Sequence, residues 1–189
     1  MKKIISVCAV FFLALAAVFA EFTPANFSLN YKTDSTEKPL AVASSAGLSV
    51  SQAYSLSYGG VSGELRYALF ADAGLKQGDA QKAVQDFAKK LIPGIAGISP
   101  VEVKLGLSRA NVPDIYKGDF GYSAYIDNVS SAFAGNWQSM IADFFYKHGH
   151  GLVVRIFLFN DKSFMGLQPD NSFVNDNAFA HYFSSFEFN

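Results

Sequence analysis

Hydrophobic positions along the chain change period several times, and each change predicts an element. An apolar run from Ile4 to Phe19, interrupted only by Ser6, follows Met1-Lys2-Lys3, and the small residues Val18 and Ala20 precede Glu21. A basic start, a short apolar core and small residues where a signal peptidase reads predict a signal peptide over 1–20, cut after Ala20. The run is short for a membrane span, which needs about 20 apolar residues. Residues 21–52 show no clear period and read as an irregular N-terminal segment. Within it, Thr33 to Pro39 is polar and turn-rich and predicts a loop. Ala41 to Ser51 is small and serine-rich and reads as a loop or an exposed strand.

From Ala53 the period is two. Ala53 to Tyr58 and Gly63 to Ala71 alternate around Gly59-Gly60, which predicts an antiparallel hairpin. The period then lengthens. Ala80, Val84, Phe87, Ala88 and Leu91 recur at three- and four-residue steps, so Asp79 to Ile92 predicts a helix. Asp79 is its expected N-cap, Lys89 and Lys90 suit its negative end, and Pro93-Gly94 is the expected stop. Alternation returns at Val101 to Leu107. Phe120 to Ile126, Trp137 to Tyr146 and Leu152 to Phe159 predict three more strands. The last is apolar on both faces except for Arg155, which suits a central strand covered on both sides. The turn before it spans Lys147 to Gly151. Asp176 is placed to cap a short final helix carrying Phe179, Tyr182, Phe183 and Phe186, with Glu187 to Asn189 closing as a strand.

This order predicts an α+β fold, an antiparallel sheet with helices packed on it. The domain plan is a signal peptide over 1–20, an irregular segment over 21–52 and a single domain over 53–189. The chain holds nineteen Phe and nine Tyr and is half apolar, which excludes disorder. Its one cysteine, Cys8, lies in the leader, so cleavage leaves none. A mature chain of roughly 169 residues can bury a core without disulfides, and that suits a bacterial periplasmic or secreted protein. The sequons at Asn26 and Asn128 then carry no meaning. Losing Lys2 and Lys3 shifts the net charge from −1 to about −3. No basic stripe offers itself to a phosphate backbone, which argues against nucleic acid. No second apolar run is long enough to span a membrane.

The C-terminal third resembles a known family. A strand hairpin, the central strand Leu152-Val-Val-Arg-Ile-Phe-Leu-Phe159, a connection, and the ending Phe183-Ser-Ser-Phe186-Glu-Phe188 are similar to the end of PsbP-like domains. The resemblance covers residues 137–188, and residues 54–92 in element order. It implies an α/β/α sandwich and a binding or assembly role. It carries no catalytic residue over, because fold is not function.

Candidate chemistry is sparse. His148-Gly149-His150 places two imidazoles two residues apart, which on a strand would share a side and could share a metal. A third ligand from Asp143, Asp161 or His181 is not selected by spacing, and a solvated turn is the simpler reading. Asp143 and Arg155 fall opposite one another if the turn has three residues centred on Gly149, which predicts a structural ion pair. Tyr122, Tyr125, Phe133 and Trp137 are candidate ligand-binding aromatics, with core packing as the plainer role. Asp161, Asp170, Asn171, Asp176 and Asn177 lack calcium-loop spacing and read as turn and cap residues. No nucleophile motif or phosphate-cradling loop occurs, and no cofactor is indicated. The preferred expectation is an exported, non-enzymatic module that binds a protein, an envelope component or a small ligand. The alternative is a secreted metal-dependent hydrolase using His148 and His150.

Overall fold

The computed structural model describes residues 22–25, 37–40, 48–58, 61–72, 75–97, 106–107, 117–160 and 186–189. In chain order the elements are β1 (Phe22–Pro24), β2 (Glu37–Pro39), β3 (Gln52–Tyr58), β4 (Val61–Asp72), α1 (Gln77–Ala96), β5 (Gly106–Leu107), β6 (Phe120–Asp127), α2 (Ser131–Ala134), β7 (Ser139–Lys147) and β8 (Gly151–Phe159). The strands form one sheet in the order β2-β3-β4-β8-β7-β6-β5, with β1 also paired to β4. Each pairing is antiparallel. The fold is therefore α+β, with β8 beside β4 at the centre.

Alternation decides what each face meets. On β7 and β8, Phe144, Tyr146, Val154 and Ile156 point toward α1 and join its stripe of Ala80, Val84, Phe87, Ala88 and Leu91 in one buried cluster. Phe87 is the hub. Its ring lies 5.4 Å from Phe22, 5.1 Å from Phe70 and 6.5 Å from Phe144, each near edge-on. The opposite parity carries Ile141, Phe145, Val153, Phe157 and Phe159, which are also buried. Phe186 stacks on Phe145 there at 5.4 Å. The two-sided burial expected of Leu152 to Phe159 thus holds along the whole of β8.

The β7–β8 turn comprises residues 148–150, with Lys147 opposite Gly151. His150 donates its amide to the Lys147 carbonyl at 3.0 Å. Gly149 sits at φ 77°, a left-handed conformation that glycine adopts without steric cost.

Several boundaries differ from the sequence reading. Residues 37–39, expected in a loop, pair with β3 as an edge strand, where Pro39 is tolerated because an edge leaves one side of the backbone unpaired. The segment 21–52 also contributes β1, so it is not wholly irregular. Helix α1 starts after Lys76, which lacks a side-chain cap bond, and Asp79 lies in the first turn rather than at the cap. The helix runs through Pro93. Losing a helical hydrogen bond there costs about 3 kcal/mol, but the continuation buries Ile95 and Ala96.

The helix stops at Gly97, whose φ is 73° and whose amide bonds the Pro93 carbonyl at 3.0 Å. A Cβ at Gly97 would come 2.9 Å from the Ser130 Cβ, so both conformation and space demand glycine. No basic residue occupies the last turn, which removes the role assigned to Lys89 and Lys90. Trp137 precedes β7 instead of opening it, and α2 is an element that the sequence pattern does not predict. Glu187 forms an isolated bridge within the expected closing strand. Residues 1–20 and 101–105, the aspartates and asparagines between 161 and 177, His181 and the final helix lie outside the described residues.

Candidate functional site

Three polar clusters are built into the described part of the sheet. The first crosses its middle on the face away from α1. Register places Ser123 opposite Asp143, Asp143 opposite Arg155 and Arg155 opposite Tyr67, so one row runs over four strands. Arg155 donates from Nε and Nη2 to Asp143 Oδ2 at 3.3 and 3.2 Å. Ser123 Oγ donates to Asp143 Oδ1 at 2.6 Å. The guanidinium lies over the Phe145 ring, 4.9 Å from its centroid. Both charged side chains are fully buried, so each needs the other to offset its lost hydration. Sealed among aromatic rings, the pair holds strand register.

The second cluster lies at the opposite end of β4 from Asp72. Arg66 Nε donates to Glu64 Oε1 at 2.6 Å, and Arg66 Nη1 donates to the Phe133 carbonyl at 2.8 Å. The same guanidinium lies 5.0 Å from the centre of the Phe133 ring. Trp137 donates its indole N–H to Glu64 Oε2 at 3.2 Å. Trp137 is partly buried, so one part of its indole packs on the core while another part meets solvent.

Phe133 and Trp137 are brought together here, but Tyr122 and Tyr125 are not. Tyr122 is buried toward α1, where its hydroxyl accepts from Gln85 Nε2 at 2.9 Å. Tyr125 lies three residues further along the same strand and so faces the other way. It donates to Asp127 at 2.6 Å and stacks near Phe159. The four aromatics therefore do not line one surface.

The third cluster surrounds the β7–β8 turn. Tyr146 Oη donates to Asp72 Oδ2 at 2.6 Å. His148 Nδ1 lies 3.6 Å from that carboxylate oxygen and 3.4 Å from Tyr146 Oη. The His148 amide donates to Asp119 Oδ2 at 2.7 Å, and the Leu75 amide donates to Asp72 Oδ1 at 3.1 Å. Burial, the hydrogen bond to Asp72 and the charges of Asp72 and Asp119 push the Tyr146 phenol well above its ordinary range.

His150 turns elsewhere. Its ring meets the edge of Phe188 at 6.1 Å, and Lys147 Nζ sits over that same ring. The two turn imidazoles thus do not converge on a shared point. A strand would have aligned them, but the left-handed Gly149 breaks the alternation between them. Among the described residues, no group of three His, Cys, Asp or Glu side chains is gathered closely enough to hold a metal.

Sequence reasoning missed Asp72, Asp119, Glu64 and Arg66. Local spacing carries no sign of them, because strand pairing and chain crossings bring each one to its partners. No family model, curated protein or solved structure matches the chain. Among the described residues, no helix is long and apolar enough to cross a membrane.

Proposed function

We propose that the chain is exported by a bacterial cell and acts as a non-enzymatic binding or assembly module in the periplasm or cell envelope. The observation that carries this reading is the leader: Lys2-Lys3, the apolar run Ile4 to Phe19, and Val18-x-Ala20 before Glu21. A PsbP-like α/β/α sandwich is the architecture we assign to it. Burial of both faces of β8, with α1 on one side and Phe186 on the other, supports that assignment.

Recognition falls to the partly exposed Trp137 and the Arg66–Glu64 pair that orients it. An indole held by a hydrogen bond presents an apolar body at little entropic cost, a common arrangement in binding surfaces. The partner is a protein, an envelope component or a small ligand. The test is fractionation of cells producing the full chain. The reading requires the processed protein in the periplasm or medium, and retention of the unprocessed chain in the cytoplasm contradicts it.

A further inference from the structure

We propose that Asp72, Tyr146 and His148 form a binding site for Fe(III) at the β7–β8 turn. The donor atoms are Asp72 Oδ2, Tyr146 Oη and His148 Nδ1, and they form a triangle with sides of 2.6, 3.4 and 3.6 Å. Metal bonds of about 2.1 Å place neighbouring donors of an octahedron about 3.0 Å apart. The triangle straddles that spacing, so shifts of a few tenths of an ångström convert it into one face of a coordination sphere. The third donor is a phenol, so the site holds only two of the His, Cys and carboxylate side chains that usually bind metals.

The surroundings fix the triangle. Asp72 ends β4, and the Leu75 amide holds its other oxygen at 3.1 Å. Tyr146 lies near the end of β7 with its ring in the core. Asp119 holds the backbone of His148 through its amide at 2.7 Å. The His148 side chain is 50 % exposed and the Asp72 side chain 11 %, so a cation would approach the buried Tyr146 from the imidazole side.

Donor chemistry selects the metal. A carboxylate, a phenolate and a neutral imidazole supply two anionic oxygens and one nitrogen. Hard ligands of this kind suit a small, highly charged ion. Binding replaces the Tyr146 O–H bond with an Fe–O bond, and the proton leaves to solvent. A strongly polarising cation is required for that exchange, which disfavours Mg²⁺ and Ca²⁺. Soft ions favour thiolates, and the sole cysteine lies in the leader. No electron transfer is involved.

The experiment titrates the mature chain with Fe(III) supplied as its nitrilotriacetate complex, followed by visible absorbance. The expected result is one equivalent bound with a phenolate-to-iron charge-transfer band. The band should vanish in Tyr146→Phe, and affinity should fall about tenfold or more in Asp72→Asn and His148→Ala, while His150→Ala binds as the parent. His148→Ala alters an exposed turn side chain, so it remains informative if Tyr146→Phe fails to fold. Absence of the band in the parent protein, its persistence in folded Tyr146→Phe, or unchanged affinity in His148→Ala overturns the site.

Discussion

Arg155 and Asp143 meet directly across β8 and β7, both fully buried, in the register where paired residue numbers flank a three-residue turn. A shift by one residue would turn Arg155 to the other face of the sheet, among the apolar residues under α1. The pair therefore disfavours that alternative register while adding little net stability of its own. Removing one partner leaves a buried charge uncompensated and should cost about 3–5 kcal/mol. Urea denaturation of Asp143→Leu, Arg155→Met and the double variant checks this. The double variant should lose clearly less than the sum of the two single losses. Additive losses would show that the two side chains do not act as a unit.

Phe87 makes ring contacts with Phe22, Phe70 and Phe144, and so joins α1 to β1, β4 and β7. Phe87→Ala should lower stability by about 3–5 kcal/mol through lost burial and the cavity left behind. The denaturation midpoint measures it. An unchanged midpoint would mean that the apolar stripe of α1 does not seat on the sheet.

Tyr146 carries a pH dependence. Its folded phenol titrates above the ordinary value of 10.0, because burial and Asp72 disfavour the phenolate. Below pH 10 both folded and unfolded chains keep this proton, and the contribution is whole. Above pH 10 the unfolded chain releases a proton that the folded chain retains, so stability falls as pH rises toward the folded value. For one proton the slope is at most about 1.4 kcal/mol per pH unit. Denaturation of metal-free protein in chelator should show Tyr146→Phe losing stability less steeply than the parent above pH 10. Parallel slopes would remove Tyr146 as the cause.

Legibility in the sequence followed the range of the interaction. The Asp143–Arg155 register was readable because two charges stand in otherwise apolar strands joined by a short turn. The stripe on α1 was readable because helical period is local. Its end was not, because Pro93 is a local stop signal while the burial of Ile95 and Ala96 is a tertiary gain. β2 was hidden for the same reason: Glu37–Pro39 has no strand period and takes its shape from β3. At the turn, His148 was visible as a candidate donor, but its partners were not. Asp72 reaches it only because β4 runs beside β8, and Gly149 sends His150 to Phe188 instead.

The proposed function requires that the chain is exported and loses residues 1–20. Intact mass spectrometry of the protein recovered from the periplasmic fraction or the medium checks this. The expected result is a single species beginning at Glu21, lighter than the full chain by the mass of residues 1–20. A mass that retains those residues, or a protein found only in the cytoplasm, would contradict it.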